Sequence, residues 1–382
     1  MIFKPFSPVV QVLQTSVAIL LVAFISGCSM FGGAEKPKPA ELQPVSGVIA
    51  ARQAWVARVG PVTYPLEVSV SGAEVFVAGG EGQVAAIDTR TGRDLWRVSV
   101  GPIAAGVGSD GKLAAVVTKS NDVVALQEGR EVWRQKLVAE AYTAPLVAGG
   151  RVFVLAADRS VNAFDGQTGR KLWTQQRPNE PLVLKQSGVI LAVGDTLVVG
   201  LAGRLAGLNP VSGAVRWEVP IASPRGINDV ERLVDLVGRV SRDGDTVCGR
   251  AFQASIGCVN AGRGSLLWTK PANGFQGIHG DDRFLFGTES DGTVIALRRS
   301  DGERAWSSTS LRNRSLTAPL VIGRSIAIGD LAGFVHLLSR DDGALLSRFA
   351  TDGSAIAAAP VLAGNTLVAV TRDGAVYGFV PE

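Results

Sequence analysis

The sequence predicts an all-β fold: an eight-bladed β-propeller with four-stranded antiparallel blades, closed by an N-terminal strand. Two observations carry the prediction. The seven tryptophans, Trp55, Trp96, Trp133, Trp173, Trp217, Trp268 and Trp306, stand 41, 37, 40, 44, 51 and 38 residues apart, and a period of this size marks a repeat architecture. From the second Trp onward each closes the same unit: a small, a hydrophobic and a polar residue, a turn, Gly, three residues, Trp. Ala86-Ile87-Asp88 leads to Gly92 and Trp96, Ala163-Phe164-Asp165 to Gly169 and Trp173, Gly207-Leu208-Asn209 to Gly213 and Trp217, and Ala296-Leu297-Arg298 to Gly302 and Trp306. The Cys258-Val259-Asn260 unit is slightly degenerate, and the unit that ends at Trp133 has a shorter turn.

The two ends of the chain complete the count. Ala54-Trp55-Val56-Ala57 has no motif upstream of it, so it reads as the last strand of a unit whose other strands are C-terminal. A seventh copy, Leu337-Leu338-Ser339 to Gly343, carries Ser347 where Trp is expected, and an eighth begins at Gly374 but reaches Glu382 before a closing strand. Trp55 supplies that strand. Sharing one blade between the termini removes the open sheet edges that invite aggregation.

Within a unit, short β-branched runs bounded by Gly and Asp read as hairpin-linked strands. Leu146-Val147, Arg151 to Leu155, Ser160 to Phe164 and Lys171-Leu172-Trp173 make one such set of four. Ala144-Pro145, Ala318-Pro319 and Ala359-Pro360 open their units, and proline cannot donate to a ladder, so the first strand is an edge and lines the channel. Asp291-Gly292, Asp301-Gly302 and Asp373-Gly374 suit tight turns. With 46% hydrophobic residues, 46 Gly and 6% aromatics, the core is built from small and branched side chains. Each Trp is expected to wedge between neighbouring blades with its N–H on a main-chain carbonyl. The propeller is assigned to residues 48–382.

Residues 1–27 read as an export signal: Lys4, then an uncharged stretch most apolar from Val17 to Phe24, then small residues. The apolar span is too short for a permanent membrane helix. Ile25-Ser26-Gly27-Cys28 resembles the bacterial lipobox, departing only in Ile25 where Leu is preferred. That resemblance implies that Cys28 becomes the lipidated first residue, and Ser29 after it implies sorting to the periplasmic face of the outer membrane. Residues 28–47, rich in Gly, Pro, Lys and Glu without periodicity, are expected to form a flexible tether.

Without Lys4 the chain holds 37 basic residues against 34 acidic, a charge of about +3. No basic run carries interleaved aromatics, so no nucleic-acid partner is expected. With Cys28 assigned to the anchor, Cys248 and Cys258 remain, symmetric about Gln253. A hairpin centred there would set them opposite one another, within disulfide reach in an oxidising compartment. The alternative is that both are inert packing residues, since Cys258 occupies the small position of the repeat. With only His279 and His336 in the chain, no metal site is expected. No nucleophile elbow or phosphate loop is present, and acids such as Asp88 and Asp165 recur in register with the repeat, as turn caps do. No catalytic residue and no cofactor is therefore assigned.

The repeat motif is similar to that of the pyrroloquinoline-quinone dehydrogenases, which are longer and carry a Cys-Cys pair and large loops absent here. As a whole, with lipobox, short tether, Trp-closed final blade and minimal loops, the chain resembles the BamB family, propeller lipoproteins of the Gram-negative β-barrel assembly machinery. Two segments break the repeat. Pro181 to Ser187 replaces the Ala-Pro entry, and the 51-residue interval after Trp217 contains Asn228 to Asp235. In the family these places form the surface that docks the periplasmic domains of BamA. The resemblance therefore implies that Leu182 and Leu184 supply an apolar pair, Lys185 stands where Arg is usual, and Glu231, Arg232, Leu233 and Asp235 match an acid-Arg-Leu-x-Asp element. Val237 departs from a second acid. Lys cannot reproduce the two-pronged hydrogen bonding of Arg, which alters the polar half of the interface. Read without the resemblance, Leu182 and Leu184 are equally well core residues and 231–235 a capped surface turn. The function implied is a non-catalytic scaffold that docks BamA and presents a strand edge to unfolded outer-membrane clients; the alternative is a quinoprotein-like periplasmic oxidoreductase.

Overall fold

The computed structural model describes residues 37–45, 47, 49–176, 182–224, 227–228 and 233–382. Ala40–Glu382 forms one compact unit; of the other, Met1–Pro39, only residues 37–39 are described. Among the described residues, thirty-two strands make eight four-stranded antiparallel sheets arranged as an eight-bladed propeller. Blades 1 to 7 span 69–99, 103–136, 146–175, 190–220, 236–271, 279–308 and 320–350, each with its strands in chain order. Blade 8 joins Ala51–Arg58 to three C-terminal strands at 361–381, in the order Ala51–Arg58, Ala375–Pro381, Thr366–Val370, Val361–Ala363. The closure expected of Trp55 is present, with Trp55 facing Gly378 in the ladder.

The strand sequences follow their place in the blade. Second and third strands, covered on both faces by neighbouring blades, are continuous apolar runs such as Val75–Ala78 and Val84–Ile87, all buried. Fourth strands carry solvent on one side and alternate, as in Asp94–Ser99. The Ala-Pro entries lie just before the first strands Leu146–Ala148, Leu320–Ile322 and Val361–Ala363, which are sheet edges as the prolines require.

The repeat motif has a packing explanation. In seven blades the small residue lies directly across the ladder from the Trp: Ala86 from Trp96, Ala125 from Trp133, Ala163 from Trp173, Gly207 from Trp217, Cys258 from Trp268, Ala296 from Trp306, Gly378 from Trp55. A Cβ added at Gly207 would lie 2.2 Å from the Trp217 ring. The indole then reaches into the next blade and covers the motif glycine there. Gly169 (φ +70°) receives Trp133, and an added Cβ would sit 2.6 Å from that ring. Trp55, Trp133, Trp173, Trp268 and Trp306 donate their indole N–H to main-chain carbonyls of that next blade, at 2.7 to 3.1 Å. Gly and Trp thus recur together because one is the seat of the other.

Cys248 and Cys258 are paired in register and joined by a disulfide between the second and third strands of blade 5, with Cα atoms 4.0 Å apart. The stretch expected to be a tether up to residue 47 is fixed to the ring from Ala40 onward. Ala40 N donates to Arg312 O at 2.9 Å, Arg314 Nη1 donates to Ala40 O at 3.0 Å, and Arg348 Nη2 donates to Gln43 O at 2.9 Å. Leu42 packs on the apolar cluster of blades 6 and 7. Composition marks this stretch as linker-like, but arginines distant in sequence satisfy its carbonyls.

Candidate docking surface

Blade 4 lacks an Ala-Pro entry, and residues 182–189 approach it without ladder pairing. The polar backbone groups of such a segment need partners elsewhere. They find them on the sides of blades 3 and 5, and two side chains of the segment reach blades 6 and 1. Leu182 O accepts from Arg159 Nη2 (3.0 Å) and Gly188 N donates to Thr143 Oγ1 (2.9 Å), both on the blade 3 side. Leu184 N donates to Asp235 Oδ2 (3.0 Å), and Ser187 O accepts from Gly238 N (2.8 Å) in blade 5. Gln186 Nε2 donates to Phe275 O (2.5 Å) at the entry to blade 6, and the Ser187 hydroxyl donates to Glu67 at the entry to blade 1.

Asp235 is the hub of this arrangement. Its other oxygen accepts from Arg159 Nη2 at 2.9 Å, and both side chains are buried. Sequence reading placed Asp235 among residues that meet a partner; its geometry makes it the group that holds the backbone at Leu184. Breaking such a buried pair on one side costs about 3 to 5 kcal/mol, because the remaining charge is stranded. Arg159 lies in a turn at positive φ (62°), and nothing in the repeat pattern marks its pairing with Asp235.

Held in this way, the segment turns a compact mixed patch outward. Leu182 is 41% exposed and Val183 36%, Leu184 is half-buried, and Lys185 is exposed with its Nζ 5.7 Å from the centroid of the Tyr142 ring. The Tyr142 hydroxyl donates to Glu140, and that bond, helped by burial, pushes the phenol up to about 12. Val183 was missed from sequence because it falls between the two leucines of the apolar pair. Glu231, Arg232 and Cys28 lie outside the described residues. Leu233 is half-buried, and Val237 is buried in the first strand of blade 5.

Behind the segment lies a channel cavity of about 620 Å³, lined among others by Glu67, Lys185, Ser187, Arg239, Phe275 and Arg372. Burial pushes the Glu67 carboxyl up to about 7, against the opposing pull of Arg239. Arg239, itself lowered by burial, donates through Nη1 to Pro360 O at 3.1 Å. Among the described residues no group of three or more His, Cys, Asp and Glu is placed to hold a metal ion.

Fold and surface together define an eight-bladed β-propeller in which the entry to blade 4 is a presented peptide segment. Residues 52–308 match the family model described as "Outer membrane protein assembly factor BamB". The chain belongs to the BamB family. It is 39% identical to the protein of that name from Burkholderia pseudomallei (94% of this chain, 96% of the relative) and 35% identical to that from Bordetella pertussis (92% of each). The crystal structure of BamB from Moraxella catarrhalis superposes with a TM-score of 0.79 at 23% identity, covering 87% of this chain and 100% of that one. Quinohemoprotein alcohol dehydrogenase from Comamonas testosteroni shares the fold, with a TM-score of 0.67 at 13% identity, covering 90% of this chain and 79% of that one.

Proposed function

We propose that the chain is a non-catalytic scaffold lipoprotein of the outer-membrane protein assembly complex. It sits on the periplasmic face of the outer membrane and docks the periplasmic domains of BamA through Leu182, Leu184 and Lys185 with the neighbouring Glu231–Asp235 element. Relatives across nearly the full chain are named outer membrane protein assembly factors, which supports the role. The observation that carries the site is the contrast within 182–185: apolar side chains turned outward on a backbone fixed by buried groups. A partner meets such a segment without first having to order it, and that lowers the cost of binding. Likeness to the quinohemoprotein enzyme is one of fold alone and adds no support for catalysis.

Anchoring through Cys28 completes the reading. Two or more acyl chains give stable membrane residence where one does not. The Cys28→Ala variant is expected to accumulate as unprocessed precursor; normal cleavage with retention in the outer membrane would refute the anchor.

The docking site is tested by capture of BamA periplasmic domains. Leu184→Asp is expected to weaken capture by about 1 to 3 kcal/mol, the usual worth of an anchor residue, while the melting curve stays at the wild-type position. A folded variant that captures as well as wild type would move the site elsewhere. Binding of a denatured outer-membrane β-barrel protein in the same assay tests whether clients touch the ring directly.

A further inference from the structure

Contacts between blades in a propeller mostly join a blade to its neighbours. The Glu67 side chain departs from this. Its backbone is fixed to blade 2, with Glu67 N donating to Gly106 O (3.2 Å) and Val107 N donating to Glu67 O (3.1 Å). Its carboxyl reaches across the channel to the Ser187 hydroxyl at the entry to blade 4, three places around the ring from blade 1. Ser187 is fixed in turn through its carbonyl to Gly238 N, and the next residue, Arg239, bonds Pro360 O at the entry to blade 8, again three places away. A polar chain thus crosses the channel twice, and the segment 182–188 is its centre.

An acid at this depth is costly, because burial disfavours its charged form. Other entries manage without one: Ala144-Pro145, Ala318-Pro319 and Ala359-Pro360 carry no ionisable side chain. The ring is closed by blade 8 and by the Trp contacts, so closure does not require Glu67. What Glu67 touches is one of the two segments that break the repeat. Asp235 and Arg159 hold the Leu182–Leu184 end, Thr143 holds the Gly188 N–H, and among the described residues the Ser187 hydroxyl bonds Glu67. We propose that Glu67 is a positioning residue for partner capture: from across the channel it fixes Ser187, and through it the segment Leu182–Lys185, in the arrangement that the partner meets. This rests on the docking reading above.

The test uses the full-length protein in detergent with BamA periplasmic domains as probe, and amide hydrogen exchange over 182–188 in the absence of partner. Glu67→Ala is expected to weaken capture about tenfold, within the range of coupling between sites, and to speed exchange over 182–188, with the melting curve little changed. Glu67→Gln keeps an oxygen that accepts from Ser187 and is expected to restore both readouts, a rescue that a merely space-filling role would not distinguish from other volume-matched side chains such as Glu67→Met. Ser187→Ala is expected to match Glu67→Ala and carries the test if the latter fails to fold. Wild-type capture or wild-type exchange in both variants, while Leu184→Asp loses capture, overturns the proposal. Should Leu184→Asp capture normally, the docking reading falls by itself, and the exchange rate of Glu67→Ala alone decides whether Glu67 holds the segment.

Discussion

Seven of the ring's blade junctions are made by a tryptophan and one, between blades 7 and 8, by Ser347. At the seven, an indole sits across from a small residue in its own blade and over a glycine in the next. At the eighth, Ser347 faces Leu337, so the volumes are exchanged: the large side chain stands where the small one is usual. The reason lies in the next blade. Blade 8 is split between the two ends of the chain and has no turn with a motif glycine to receive an indole. The N-terminal lead-in passes there instead, and the Ser347 hydroxyl bonds Ile49, donating to its carbonyl (2.5 Å) and accepting from its N–H (3.3 Å). Apparent degeneracy of the seventh repeat is therefore the adaptation of a junction to a seam.

Three experiments break or sharpen this comparison. The largest effect belongs to the seam: deleting Ala51–Arg58 removes the outer strand of blade 8, exposes the edge at Ala375–Pro381 and empties the place of Trp55. Loss of a cooperative melting transition, or aggregation, is expected, whereas a deletion that stops before Ala40 leaves the transition in place. Equal melting of the two would contradict closure at Trp55. Next comes a regular junction. Trp133→Ala empties a buried site and strands the Gly166 carbonyl, at an expected cost of about 3 to 5 kcal/mol in chemical denaturation. A loss below that of a surface substitution would mean that the indoles are not what joins the blades. The smallest effect is expected for Ser347→Trp, which restores the repeat in sequence but not in structure. With Leu337 opposite and Ile49 in the way, overpacking costs about 1 to 3 kcal/mol. Stabilisation by this change would show that the seam is a degraded junction after all.

Legibility followed the same division. Trp55, the Gly-x-x-x-Trp spacing and the Ala-Pro entries were readable because each recurs, and recurrence in a solenoid-like chain reports packing that every unit shares. The facing cysteines were readable because a hairpin fixes its own register. Leu182, Leu184 and Lys185 were visible only as a break in the repeat. Asp235 was visible too, but its burial against Arg159 was not, since the two are 76 residues apart and their meeting depends on how blades 3 and 5 flank the entry of blade 4. Glu67 and Arg239 left no pattern at all, Ser187 was visible only as the end of the Pro181–Ser187 break, and only the ring brings the three together.

By itself, then, the sequence determined the number of blades, the order of their strands, the place of closure and the two segments that depart from the rule. These are local or periodic properties, set by side-chain alternation, turn chemistry and the matching of a large residue to a small one. Tertiary structure alone decided which polar groups meet across the channel, why Ser347 replaces a tryptophan, where the N-terminal lead-in becomes fixed, and which residues of the presented segment face outward. Those depend on distances between blades far apart in the chain, and pairwise contacts of that kind occur once each, so no period records them.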